Sequence, residues 1–228
     1  MVGLGPLVIH ASPLLCASPL PEGEFRLERV VRRDLFDGAV IMTNRSWMIR
    51  FDLATGGGLA VTGEQVISRV EAPPALAALA RLEERRASEL LPIRLSARGS
   101  IVDQQGNDIL DPLPNGVIEA AADYVADHSS ARAVDLSVRE FVAQLSKRQM
   151  GWLSHLPRDL FFPVPRSRAA SREIALPGGG QGRVDLHEMA ESDAPSGLLC
   201  SFQREAITTI GESSRTAAET WRLGPSVL

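Results

Sequence analysis

Residues 197–223 read GLLCSFQREAITTIGESSRTAAETWRL, and their alternation decides the fold. Apolar and polar residues take turns on both sides of Gly211-Glu212, the pattern of two half-buried strands. Glycine in the first central position suits a two-residue type II′ hairpin, which needs positive φ there. With that turn fixed, Cys200 faces Leu223, Phe202 faces Trp221, Arg204 faces Glu219 and Ala206 faces Ala217. These side chains lie on one face of the hairpin.

Upstream, residues 173–176 and 183–189 are further strands, separated by Gly178-Gly179-Gly180 and by Ala194-Pro195-Ser196. Residues 157–170 contain Pro157, Pro163 and Pro165 and read as a loop or a strap. A second β block stands near the N-terminus. Phe25 to Leu35 is a strand, Asp37-Gly38 a type I′ hairpin signal, and Ala39 to about Ala54 the return. This places Leu35 opposite Val40, Arg33 opposite Met42 and Leu27 opposite Met48. Phe25, Leu27, Val31, Leu35, Val40, Met42 and Met48 then form the core face. Arg45 falls on the other face with Ile41, Trp47 and Ile49, which is therefore expected to be partly covered. Leu59 to Glu71 completes a three-stranded meander.

Between the blocks the periodicity turns helical. Leu76, Leu79, Ala80 and Glu83 are spaced for a helix over Ala75–Glu89. A short strand at Ile93–Ala97 is turned by Arg98-Gly99, and residues 101–103 and 108–110 suggest another small hairpin. A helix follows over about 115–126. Ser137 to Glu140 is a capping box opening a further helix with Val138, Phe141, Val142 and Leu145 at core spacing. Together these predict one soluble α+β domain over residues 24–228. Its antiparallel sheet, a curved half-barrel, is built from the N- and C-terminal strand blocks and packs on a helical middle segment. In outline this is similar to periplasmic lipoprotein carriers. No motif of that family lies on these residues, so the resemblance implies an architecture and no site.

Composition narrows the function classes. The chain has 228 residues, 44% apolar and 23% charged, with a net charge of −4. That suffices for a sizeable core and argues against a nucleic-acid partner, which needs a concentrated basic face. Its cations are 23 Arg and one Lys, Lys147; Arg favours fixed, two-pronged ion pairs. Cys16 and Cys200 show no metal-ligand spacing, and either a single disulfide or two free thiols is open. No apolar run reaches the 18 residues a membrane-spanning helix requires. Residues 1–23 read as a flexible arm or a signal-like segment. The first 20 are apolar and uncharged, yet lack a basic start. A periplasmic or cell-envelope location is favoured over the cytoplasm on that segment.

Familiar catalytic motifs fail on their own chemistry. Asp103 to Asp111 has Gly106 misplaced for a calcium loop and no distal Glu. The glycine run 178–182 leads into a strand pattern, whereas a phosphate loop opens a helix. His187-Glu188 lacks the second His of a zinc-protease helix. No Gly-x-Ser-x-Gly elbow occurs, and Cys200, facing Leu223, reads as a buried thiol. The candidate ligand-binding residues are Trp47, Phe202, Arg204, Glu219 and Trp221. The aromatics offer an apolar wall and Arg204 a grip for an anionic group. Core packing and an in-sheet ion pair are the plainer readings of the same residues. No cofactor or metal is expected. The expected function is a non-catalytic binding protein holding an apolar small molecule or a protein segment in its curved sheet. The alternatives are a hydrolase-like enzyme of unrecognised type and a structural subunit that pairs through a sheet edge.

Overall fold

The computed structural model describes residues 20–35, 38–55, 57–85, 90–103, 106, 156–175 and 181–226. They form a nine-stranded antiparallel sheet curled into a half-barrel, with one short helix. The strands are β1 Phe25–Asp34, β2 Val40–Leu53, β3 Leu59–Glu71, β4 Ile93–Leu95, β5 Ile101–Val102, β6 Arg166–Ala175, β7 Gln181–Ser192, β8 Leu199–Ile210 and β9 Ser213–Pro225. Their spatial order is β5-β4-β3-β2-β1-β9-β8-β7-β6. The two β blocks therefore make one sheet, joined where β1 lies beside β9, from Phe25↔Pro225 to Arg33↔Ala217.

The C-terminal hairpin has the register expected of it as far as Ser201↔Arg222; the expected Cys200–Leu223 pair is not formed. Phe202 pairs with Trp221, Arg204 with Glu219 and Ala206 with Ala217. Gly211 takes φ +57°, and no non-glycine residue among those described has positive φ, as a type II′ turn requires.

The N-terminal hairpin corrects its expected register by one residue. Val40 pairs with Asp34, not Leu35, and Leu27 pairs with Trp47, not Met48. The Leu35 N–H donates to the Ala39 carbonyl at 2.8 Å, so three residues, not two, separate the paired ends. Gly38 sits at φ +80°, where a three-residue loop ending in a left-handed residue needs glycine. Because side chains alternate with period two, this slip moves the whole of β2 to the opposite face. Ile41, Arg45, Trp47 and Ile49 are buried, while Met42 is 38% exposed and Val40 and Met48 are only half-buried.

Two bulges bend the sheet. Trp47 pairs with Gln65 and Ser46 with Ile67, leaving Val66 as an extra residue in β3. Glu191 pairs with Ser201 and Ser192 with Leu199, leaving Cys200 extra in β8. A bulge breaks the in–out alternation locally. It turns Cys200 to the outside as an exposed free thiol, correcting its expected burial. Strand β6 also corrects the strap reading, since pairing with β7 begins at Arg166, directly after Pro165.

Two apolar clusters fill the concave face. At one end Leu27, Trp47, Ile49, Phe51, Val61, Phe202 and Trp221 pack against Leu90 and the strap residues Leu156, Leu160 and Phe161. At the other end Leu35, Ile41 and Val70 receive Leu76 and Ala80. Leu76 belongs to a 3-10 turn over Pro74–Leu76, and Ala80 to helix α1, Ala77–Arg85. Of the helix expected to reach Glu89, residues 86–89 lie outside the described residues. So do the expected helices near 115–126 and after Ser137, the expected strand at 108–110, most of the Asp103–Asp111 segment, and Cys16. Residues 101–102 pair with β4 around the expected Arg98-Gly99 turn.

Candidate functional site

A belt of charged side chains crosses the concave face between the two apolar ends. Its centre is Glu219 of β9. Arg29 of β1 donates from Nε to Glu219 Oε1 at 2.7 Å and approaches it through Nη2 at 2.5 Å. Arg204 of β8 donates from Nη2 to Oε2 at 2.6 Å. The three side chains are only 12–13% exposed. Burial by itself would raise the Glu219 pKa. The charges of Arg29 and Arg204, and the hydrogen bonds they donate, outweigh it and hold the carboxyl at about 2. Glu219 is thus a permanent carboxylate at neutral pH, which suits anchoring better than proton transfer.

The belt extends both ways. On β6, Arg166 donates from Nε to Glu188 Oε1 at 2.9 Å and from Nη2 to Asp159 Oδ1 at 3.0 Å. Arg168 also reaches Glu188 Oε1, at 3.1 Å. Burial would lower the Arg166 pKa, but its hydrogen bonds to Asp159 and Glu188 leave it raised. On the other side, Arg45 of β2 donates to Glu83 Oε1 of α1 at 2.7 Å, with side chains 5% and 2% exposed. This pair joins the helix to the sheet.

Aromatic rings lie beneath the guanidinium groups. Arg29 stands 5.0 Å from the Trp221 ring centroid, and Arg204 and Arg166 stand 5.7 and 5.9 Å from that of Phe202. Desolvated cation–π contacts of this kind contribute roughly 0.5–2 kcal/mol each. Trp47 and Trp221 stack with centroids 5.9 Å apart and planes 19° from parallel.

All five sequence candidates, Trp47, Phe202, Arg204, Glu219 and Trp221, therefore occupy one face and one neighbourhood. The three aromatics are at most 1% exposed and belong to the apolar cluster; the two charged residues are ion-paired. Sequence reading missed Arg29, Arg166 and Glu188. Each comes from a strand that no short turn of known type joins to the C-terminal hairpin, so nothing local places it beside that hairpin. The hairpin register alone exposed the Arg204–Glu219 pair.

Among the described residues no group of three or more His, Cys, Asp or Glu could hold a metal ion. No described helix is long and apolar enough to cross a membrane. No family model and no curated protein matches the chain.

Proposed function

We propose that this chain is a non-catalytic binding protein, working in the cell envelope, whose curled sheet holds an apolar ligand or a partner segment on its concave face. The observation that carries the reading is the floor of that face over β6–β9. Ala217, Ala206, Leu186 and Ala170 stand side by side in one row, with Val184 and Thr208 beside them. Ala206 and Ala170 are half-buried and Ala217 is exposed, while Leu186 and Val184 are 4% and 0% exposed, yet neither of these two belongs to either apolar cluster. A smooth floor of small side chains under a curved sheet suits an elongated apolar guest. The helical middle segment expected from the sequence belongs to this reading as the other wall, and the signal-like N-terminus supports the envelope location.

The enzyme alternative has less support. Its sharpest candidate, Glu219, is held ionised by two guanidinium groups, and Cys200 stands exposed on a bulge. Pairing through a sheet edge draws on a specific feature, since among the described residues β6 is a ten-residue strand bonded only to β7. Its Arg166, Arg168 and Arg172 are the sort of charges that keep an edge from self-pairing. Native mass spectrometry of the chain purified from its own host tests the main reading. A bound apolar molecule at one per chain is expected. A ligand-free chain that also fails to take up amphiphiles in titration overturns it.

A further inference from the structure

Strand β3 has a neighbour on both sides only at its start. β2 runs beside nearly all of it, whereas β4 pairs with Leu59, Ala60 and Val61 alone. Among the described residues no strand lies against residues 62–71 on that second side. At Val70 a carboxylate oxygen of Glu84, on α1, accepts the main-chain N–H at 2.8 Å, where an adjoining strand would supply a carbonyl. Residues 62–69 are thus an open sheet edge. The edge also presents Val66 and Ile67, 46% and 37% exposed. Large exposed apolar side chains on an unpaired edge invite another strand.

The bulge at Val66 decides which strand fits. Gln65 stands opposite Trp47 and Ser68 opposite Arg45, so the extra residue leaves both on the concave face. Glu64 and Arg69, opposite Met48 and Asn44, share the convex face. Val70 gives its N–H to Glu84 and therefore points its main-chain groups outward. Counting back across the bulge, Ser68, Gln65 and Gly63 point outward with it. Residues directly opposite in an antiparallel pair share both face and bonding direction. The run Glu64-Gln65-Val66-Ile67-Ser68-Arg69 meets that condition against its own reverse. Glu64 then faces Arg69, Gln65 faces Ser68, and Val66 faces Ile67. An unbulged strand cannot take this register, because residues three or five apart fall on opposite faces.

We propose that the β3 edge is the interface between two copies of this chain, paired antiparallel about a two-fold axis between Val66 and Ile67. It is independent of what the concave face holds. Three kinds of complementarity meet in one register. Opposite charges stand across the axis twice, Glu64 against the partner's Arg69 and the reverse. Arg69 already meets Glu71 along its own strand at 3.2 Å, but that pair is exposed and leaves the guanidinium within reach of both carboxylates. Gln65 and Ser68, whose buried side-chain oxygens have no hydrogen-bond partner in the single chain, come opposite each other. The exposed Val66 and Ile67 cover one another. A two-fold interface of this kind is self-closing and stops at the dimer.

Sedimentation velocity of the full chain over a concentration series tests it, with Glu64→Arg and Arg69→Glu as variants. Both positions are exposed, and unchanged melting temperatures are expected. The parent is expected to dimerise reversibly. Each variant sets like charges across the axis twice and is expected to weaken the dimer at least about tenfold. An equimolar mixture of the two variants restores both opposite-charge contacts in a mixed dimer and is expected to regain the parent's affinity. Amide hydrogen exchange of the parent is expected to slow at Gln65 and Ser68 as concentration rises. A parent that stays monomeric up to about 1 mM overturns the proposal. So do variants that dimerise as tightly as the parent, or a mixture that stays as weak as its components. Should a variant fail to fold, the parent's exchange decides: rates at Gln65 and Ser68 that do not change with concentration overturn the interface.

Discussion

Replacing Glu219 with Gln removes the one carboxylate that two buried guanidinium groups share. Its size is unchanged, so packing is preserved and the effect is electrostatic. The folded protein holds this carboxyl at about 2, against an ordinary value of 4.5. At 1.36 kcal/mol per unit, ionised Glu219 stabilises the fold by about 3 kcal/mol. A depressed carboxyl contributes this fully above its unfolded pKa, near 4.5, and loses it as pH falls toward about 2. Glu219→Gln does not titrate and leaves Arg29 and Arg204 without their shared partner, so at pH 7 it is expected to lose about 3–5 kcal/mol. Urea unfolding of both proteins at several pH values between 7 and 2 reads the difference directly. The gap is expected to be constant from pH 7 to about 5, then to narrow by about 3 kcal/mol on acidification. A gap that stays flat down to pH 2, or that is below about 1 kcal/mol at neutrality, would refute the electrostatic account of the cluster.

Three other outcomes follow from single positions. A Cβ at Gly63 would stand 1.9 Å from the Met48 carbonyl oxygen, at φ +151°, so Gly63→Ala is expected to cost at least about 2 kcal/mol by thermal unfolding; a neutral result would place β2 and β3 farther apart. Breaking the buried Arg45–Glu83 pair with Arg45→Met is expected to cost about 3–5 kcal/mol, and Arg45→Met with Glu83→Leu to recover most of it. Additive losses in that double-mutant cycle would show that the two groups do not compensate each other. In a Cys16→Ser background, Cys200 is expected to react with a thiol reagent in the native state at nearly the rate seen in urea. Slow labelling that requires unfolding would return it to the interior.

The two hairpins show where sequence is readable and where it is not. Around Gly211 the alternation runs unbroken into a two-residue turn, and only one register satisfies both the turn and the apolar face. Around Gly38 the same kind of signal admits two loop lengths, because Asp-Gly closes a three-residue loop as well as a two-residue one. The discriminating clue is the excess of Ile41, Trp47 and Ile49 on the face opposite the expected core, a face expected to be only partly covered. A register one residue away puts all three inside. The exposed Cys200 follows from a bulge, which period-two reading does not anticipate. Strand β6 was hidden by the prolines before it and by its small side chains. The candidate site was legible as far as one hairpin reaches. Arg29 joins it through the β1–β9 pairing, and its hydrogen bond to Glu219 spans 190 residues, a distance over which local pattern carries no information.

That same β1–β9 junction bears on how the chain is made. β1 precedes every other described strand and sits mid-sheet, yet one of its two neighbours, β9, follows all of them. Until residues 213–225 have left the ribosome, the first block is at most a five-strand sheet with β1 as a raw edge. Its Trp47 lacks the ring of Trp221, and its Arg29 lacks the carboxylate of Glu219. Closing the finished sheet is therefore gated by a contact of very high sequence separation, which slows folding. A chain cut short before β9 keeps most of its residues and loses the seam that joins its two halves.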